Sequence, residues 1–377
     1  MKQKLNTAIA IMFMIILSYC NQKQNPGVQE KIIDEVTTAV DVKFSMVKRI
    51  PLREMGYSSL AVTGSEIYAS CYSSDDNVAL VEIYDIELNY KEKKAFPIGQ
   101  GPGDVGGGAR FYRYGNRIYV PDNTQQRINL FDRDFKFIKF VKLTENHYPL
   151  VFIKNGEYFI CIQEKGGGRP GDVTYVVSLF SFPRLQKKIL YQLGPFPFRD
   201  HSGRYILFSM DGVDFFYKED KIYLINMNSY QVNMMELSGK ILKRIRVDVE
   251  KKMVPKEMKE PWLKAHLGWS YRRLKNRIGA ADSIQPASYM VPLGKGLAVI
   301  RRNGYDYNCT GMVEADYFDY RLNLIGKIQI PCFNRIFRLS MGYSSYSYTY
   351  HEGYLYLISI DREENFYLEK WRVIEPR

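Results

Sequence analysis

The residues of this chain best spaced for chemistry are two glycine clusters, Gly99-x-Gly101-x-Gly103 and Gly106-Gly107-Gly108. Bare backbone amides at such spacing can cradle a phosphate. A dinucleotide site, however, requires a helix to begin right after the glycines. Here Arg110-Phe-Tyr-Arg-Tyr114 runs into a turn and a strand, and no Gly-Lys-Ser/Thr ending follows. The loop therefore reads as a chain crossing that needs glycine geometry. A partial echo, Gly166-Gly-Gly168 followed by Pro170-Gly-Asp-Val173, suggests that related loops recur at related places in a repeat. Gly101, Gly103, Asp104, Arg110, Gly171 and Asp172 are accordingly candidate ligand contacts on one shared rim.

Acid–base and metal chemistry have thinner support. Of the four histidines, His147, His201, His266 and His351, none lies in a His-Glu-x-x-His spacing, so they could act together only if gathered across a central channel. The pairs Asp75-Asp76, Asp132 with Asp134, and Asp316 with Asp319 lack the run of oxygen ligands of a calcium loop and read as turn residues. No catalytic residue, metal site or cofactor is assigned. Tyrosines make a better binding case: Tyr346, Tyr348 and Tyr350 alternate, so a strand would place them on one face. They could stack on a sugar or peptide, although packing one repeat against the next asks for the same residues and is the leading reading.

The elements that must position these residues are short strands. Gly115-Asn116 is a turn before Ile118-Tyr-Val120, Asp122-Asn123 is the next, and Arg127–Phe131 alternates up to the turn at Asp132-Arg-Asp134. The same grammar of turn, aromatic-rich inner strand, middle strand and outer strand begins at Gly64, Gly115, Gly156, Glu219, Gly294 and Gly353. Six such units predict an all-β, six-bladed β-propeller over residues 41–377. The last unit has no fourth strand, whereas Val42–Pro51 is a strand without a blade. Pairing 42–51 with 366–374 would close the ring and leave only short edges.

Ile98-Gly-x-Gly-Pro-Gly-Asp104, followed by Ile-Tyr-Val-x-Asp and Arg-Ile-x-x-Phe-Asp, resembles the NHL-type or TolB-like six-bladed propeller lipoproteins common in Bacteroidota. The resemblance is firm over residues 95–145 and rests on pattern elsewhere. It implies a fold and a compartment but no reaction, since the family is largely without an assigned activity.

The start of the chain agrees with that compartment. Lys2 and Lys4 precede an apolar run from Ala8 to Leu17, too short to span a bilayer, and Leu17-Ser-Tyr-Cys20 resembles a lipobox. Residues 1–19 then form a lipoprotein signal peptide, Cys20 carries the lipid, and 20–40 is a polar tether. The absence of an acidic run after Cys20 favours a periplasm-facing outer-membrane protein. The formal charge of +12 falls to +10 without Lys2 and Lys4, a balance that suits an anionic surface and an unliganded basic protein alike. Cys71, Cys161, Cys309 and Cys332 include no C-x-x-C pair and could be disulfides or buried thiols.

Helical spacing occurs once, between the fourth and fifth units. Pro261 suits a first turn, Leu263, Leu267, Tyr271, Leu274 and Ile278 form a stripe, and Gly279 could end it. This predicts a basic helical insertion over about 255–280, with Trp262, Trp269, Arg272 and Arg273 as candidate partner contacts. The expected function is a lipid-anchored, non-enzymatic binding or scaffold module for an envelope protein, polysaccharide or peptide, with no nucleic-acid partner. The alternative is a metal-dependent envelope hydrolase or lyase with its site in the channel.

Overall fold

The computed structural model describes residues 30–34, 38–54, 57–73, 77–106, 110–122, 124–143, 148–166, 173–193, 205–207, 213–227, 229–250, 278–280, 287–301, 312–331, 348–361, 363 and 365–375, with 257, 259, 260 and 272. In chain order, β1 (Glu30–Asp34) and β2 (Lys43–Pro51) precede the first blade. Blade 1 is β3 (Tyr57–Thr63), β4 (Glu66–Ser73), β5 (Val78–Asp85) and β6 (Tyr90–Pro97). Blade 2 is β7 (Tyr112–Tyr114), β8 (Arg117–Asp122), β9 (Arg127–Asp132) and β10 (Phe137–Lys142). Blade 3 is β11 (Tyr148–Ile153), β12 (Tyr158–Gly166), β13 (Val173–Ser181) and β14 (Lys187–Leu193), followed by β15 (Tyr205–Leu207). Blade 4 is β16 (Val213–Lys218), β17 (Lys221–Asn226), β18 (Gln231–Glu236) and β19 (Ile241–Asp248), followed by β20 (Ile278–Ala280). Blade 5 is β21 (Ala287–Pro292), β22 (Gly296–Arg301), β23 (Met312–Asp319) and β24 (Leu324–Pro331). Blade 6 joins β25 (Tyr348–His351), β26 (Tyr354–Ile360) and β27 (Phe366–Ile374) to β2.

Each blade is an antiparallel meander, and together the six form a β-propeller. First strands of successive blades adjoin one another, β25 with β3, β3 with β7, β16 with β21 and β21 with β25, which sets them around the central axis. The turn glycines of the sequence therefore open the second strand of each blade, not the innermost. The true inner strands lie before those turns. The glycine segment 98–105 likewise belongs to the connection from β6 to β7 rather than to a blade.

The ring closes as the sequence predicts. β2 pairs antiparallel with β27 from Lys43 opposite Ile374 to Pro51 opposite Tyr367. Upstream of it the chain is also tied down. β1 adds to the outer edge of blade 4 in parallel with β19, Glu30 opposite Arg244 and Asp34 opposite Asp248. The amide of Val40 then donates to the carbonyl of Lys327 on blade 5, and the Lys327 amide donates to the carbonyl of Thr38. The described residues of the stretch expected as tether, 30–34 and 38–40, form a strap along the outer edges of blades 4 and 5.

The helical insertion is not supported as predicted. Glu257, Lys259, Glu260 and Arg272 are helical, but Ile278 and Gly279, expected to end the helix, form β20, which pairs in parallel with β15. A β-branched residue and a glycine take their conformation here from the strand beside them, overriding helical spacing.

Five-residue Asp turns end many strands. Asp85, Asp132, Asp319 and Asp361 each accept hydrogen bonds from the backbone amides two and four residues on. Leu88, Phe135 and Leu322 take positive φ inside three of them. Asp132 and Asp319 are thus turn residues, as expected, whereas Asp316 is a buried acid of the core. Asn365 hydrogen bonds to the Asp361 carboxyl with its side chain and backbone, holding the carboxyl at about 2. Ionised Asp361 therefore supports its turn above the ordinary carboxylate range, and that support is lost as pH falls through about 2. An NMR titration of Asp361 should show a midpoint near 2, and Asn365→Ala should return it towards 3.8.

One buried polar residue recurs in the third strand of each blade. Glu82, Asn129, Ser178, Asn233 and Asp316 each stand three residues before the end of their strand, Glu369 stands five before the end of β27, and all are buried. Their same-face neighbours pack on the preceding blade: Leu80 and Tyr84 share a core with Tyr356 and Ile358, and Met235 shares one with Ile160. Asp316 receives hydrogen bonds from Tyr230 of blade 4 and from Arg301 at 2.8 Å. Glu369 receives one from Ser359 at 2.6 Å, and Asn233 receives one from Arg244 at 2.9 Å. Burying polar groups is costly unless they are bonded, and the Tyr230–Asp316 bond ties blade 4 to blade 5.

Candidate functional site

The propeller's two faces differ in kind. Connections from first to second and from third to fourth strands are tight turns on one face, such as Gly64 at φ 59° and Gly115 at φ 56°. Connections from second to third strands and between blades open on the other face, and these include the longest, 248–287 and 331–348. Alternation of strand direction dictates this division. Long loops on a rigid ring are where such a fold carries recognition.

At the joint of blades 1 and 2 this long-loop face is built around Arg127. Its side chain is buried, and its Nε donates to Asp122 Oδ2 at 3.2 Å. Nη1 donates to the carbonyl of Gln100 at 3.1 Å, and Nη2 to those of Gly99 at 3.4 Å and Asp104 at 2.8 Å. Asn129 Nδ2 adds a second donor to the Asp104 carbonyl at 3.1 Å. Within the loop the Gly101 amide donates to Asp104 Oδ2 at 2.8 Å. A Cβ on Gly101 would stand 2.8 Å from that same oxygen, and Gly103 has a φ of 86°. The glycines are therefore required by the fold of the loop itself. Carbonyls face the guanidinium, and the Gly101 amide is taken by Asp104, so the loop is a clasp between blades rather than a phosphate cradle.

The structure brings Gly101, Gly103, Asp104 and Arg110 to one connection. Arg110 hydrogen bonds to Tyr112, whose hydroxyl burial pushes up in spite of that positive neighbour. Gly171 and Asp172 lie outside the described residues. Their connection, 166–173, joins β12 to β13 and so shares the long-loop face with 98–105, but it occupies a different step of the repeat.

The tyrosine stripe divides. Tyr346 lies outside the described residues. Tyr348 is buried, and its hydroxyl donates to the carbonyl of Met290 on blade 5 at 2.6 Å. Tyr350 stands over Gly294, where a Cβ would meet its hydroxyl at 2.7 Å. Both pack blade 6 against blade 5, the second of the two readings open from sequence. Around Tyr350 the short-turn face is rich in aromatic and charged groups. Lys218 Nζ lies 3.6 Å above the Tyr320 ring and donates to the Gly294 carbonyl at 3.3 Å, while burial lowers its pKa. Tyr317 donates to Glu375 Oε1 at 2.6 Å, and Glu375 accepts the Lys295 amide. These contacts seal blades 4, 5 and 6 together.

A similar joint seals blades 1 and 2 on the short-turn face. Arg113 hydrogen bonds to Glu66 and, at 2.7 Å, to the Tyr68 hydroxyl. Burial alone would raise the Glu66 carboxyl, but Lys91, Tyr68 and Arg113 hold it below its ordinary value.

His351 lies beside Glu352, with Nε2 3.8 Å from Oε2. His147, His201 and His266 lie outside the described residues, as do Cys20, Trp262, Trp269 and Arg273. Arg272 is exposed. Among the described residues no three His, Cys, Asp or Glu side chains are grouped to hold a metal ion. Cys71 and Cys161 are buried free thiols, and burial pushes the Cys71 thiol up to about 12. Arg127, Asp122 and the six-blade ring of buried polar residues escape a reading of sequence. Their only signal is a polar residue within an otherwise apolar strand, which looks like an ordinary solvent-facing position.

The same fold is found in solved structures. One is a member of the DUF4221 family from Bacteroides vulgatus, similar over 89% of this chain and 99% of its own at 11% identity, with a TM-score of 0.56. A second, described as an exported protein of Bacteroides fragilis, is similar over 92% of this chain and 100% of its own at 11% identity, with a TM-score of 0.54. Virginiamycin B lyase from Staphylococcus aureus is similar over 89% of this chain and all of its own, at 9% identity and a TM-score of 0.44. No protein-family model matches the sequence, and no curated protein matches it either. The chain is a six-bladed β-propeller, similar in fold to these two Bacteroides proteins.

Proposed function

We propose that the protein is a lipid-anchored propeller of the bacterial envelope that acts as a non-enzymatic binding or scaffold module, with the long-loop face as its recognition surface. The observation that carries the reading is the division of the two faces. One is closed by tight turns, and the other gathers every connection between blades. Lipid attachment at Cys20 rests on Leu17-Ser-Tyr-Cys20, and an envelope address fits the exported description of the Bacteroides fragilis protein of the same fold. The ligand class is an envelope protein, polysaccharide or peptide. The outer membrane, with the propeller facing the periplasm, is the proposed site.

Photo-crosslinking in cells tests the reading. A crosslinker placed at Gln100 or Thr124, both exposed on the long-loop face, should give a discrete adduct, and one at Ser238 or Asn323, exposed on the tight-turn face, should not give the same adduct. The same adduct from both faces would refute the assignment of the recognition surface.

A further inference from the structure

The outer edge of blades 3 to 5 exposes apolar side chains at its tight-turn end. Ile189 on β14, Leu242 on β19 and Ile325 on β24 are 51%, 37% and 44% exposed. Each lies in the fourth strand of its blade. Ile189, Leu242 and Ile325 fall within the first three residues of their strands, next to the turns. The turn of blade 4 abuts blade 3 here, since a Cβ on Gly239 would lie 3.6 Å from the Ile189 carbonyl oxygen. On the other side, Lys243 Nζ donates to the Arg321 carbonyl of blade 5 at 2.7 Å.

Cations surround these apolar side chains. Lys31, Arg184, Lys188, Lys240 and Arg321 are exposed along the same edge. The acids nearby are engaged: Glu30 with Gln231 and Arg246, Glu236 with Ser238, and Asp319 with the amides of its own turn. Exposed isoleucine and leucine interleaved with lysine and arginine is the composition of a surface that rests in a lipid headgroup region.

The strap brings the anchor to this edge. β1 runs parallel to β19, and Glu30 pairs with Arg244, the fourth residue of that strand. Followed towards Cys20, the chain therefore leaves blade 4 at its tight-turn end. Ten residues from Cys20 to Glu30 reach at most about 36 Å. To present the long-loop face to the same leaflet, those residues would have to reverse direction at Glu30 and run back past Asp248, about 13 Å at 3.3 Å per residue.

We propose that this lower edge of blades 3 to 5 seats on the anionic leaflet that holds the anchor, which turns the long-loop face away from the membrane. The seating rests on the reading of Cys20 as the lipidated residue. Lysine and arginine engage phosphate-bearing headgroups, and Ile189, Leu242 and Ile325 enter the interface between headgroups and acyl chains.

The test uses the full-length lipidated chain, purified from bacterial membranes and reconstituted into vesicles of phosphatidylethanolamine and phosphatidylglycerol. With Cys309 and Cys332 changed to serine, a fluorophore is placed by Leu242→Cys or Ile325→Cys at the lower edge. In parallel it is placed by Asp248→Cys or Gln329→Cys near the upper ends of the same strands. A quencher carried on the lipid headgroup should quench the lower pair several-fold more than the upper pair. Lys188→Glu with Lys240→Glu should shrink that difference. Equal or reversed quenching in protein that floats with the vesicles overturns the seating and leaves the anchor reading standing. Protein that does not float overturns the anchor reading, and the seating falls with it.

Discussion

Replacing Arg127 by alanine is expected to destabilise the protein by about 3–5 kcal/mol, the cost of leaving one partner of a buried ion pair alone. Asp122 would remain fully buried, with the Gln125 amide 3.0 Å away as its remaining donor among the described residues. The carbonyls of Gln100 and Gly99 would lose the Arg127 donor, and that of Asp104 would keep Asn129. Lysine would not rescue the site, because a point charge on a flexible stem cannot serve the carboxylate and three diverging carbonyls as a planar fork does. Urea unfolding measures the effect through a lower midpoint at unchanged slope. The double replacement Arg127→Met with Asp122→Leu should cost less than Arg127→Ala, since it leaves no unpaired charge behind. A loss below about 1 kcal/mol, the range of an exposed ion pair, would show that Arg127 does not hold the clasp.

That clasp marks the boundary between what the sequence reveals and what it conceals. Gly99, Gly101, Gly103 and Asp104 stand out by type and spacing, and their confinement to a chain crossing follows from the strand that comes next. The group that organises them does not stand out. Arg127 opens a strand in which Ile128, Leu130 and Phe131 are also buried, so nothing local separates it from a solvent-facing arginine. Its role depends on a loop 23 to 28 residues away.

The same contrast runs through the fold. Second, third and fourth strands show themselves because turn residues bracket runs of β-branched and aromatic side chains, as at Gly115 to Phe131. First strands do not. β7 has only three residues, and β3, β11 and β21 carry register shifts that break alternation. They are also flanked by other blades on both sides, so no solvent face imposes a period of two. β1 is hidden for the opposite reason: Glu-Lys-Ile-Ile-Asp is polar and mostly exposed, and its partner lies more than 200 residues on. The helical reading of 255–280 failed at its described end because spacing cannot see that Ile278–Ala280 has Tyr205–Leu207 beside it. Tyrosine positions were legible but their use was not, since stacking on a ligand and packing on the next blade ask for the same side chain.

Closure of the ring was legible because it is a question of counting strands, and it carries the largest effect expected here. A chain that begins at residue 57 lacks β2, and it should be recovered as aggregate or as oligomers rather than as a monomer. The exposed edge of β27 would offer a nine-residue template for pairing. Glu369, buried and 3.3 Å from Arg49, would lose that partner, and Tyr367 would lose the guanidinium 3.7 Å above its ring. Blade 1 would suffer too, because Lys48 of β2 reaches across to the Glu87 carbonyl at 2.8 Å and to Asn89 Oδ1 at 3.0 Å. The same residues returned at the other end should repair the defect. Lys43 lies opposite Ile374, so residues 41–54 joined after Arg377 by a short turn would form a hairpin with β27 in the native register. That permuted chain should be monomeric by light scattering and should unfold cooperatively, while a scrambled 41–54 segment at the same place should not restore either property. A truncated chain that stays monomeric with the unfolding midpoint of the full protein would show that the ring holds without its closing strand.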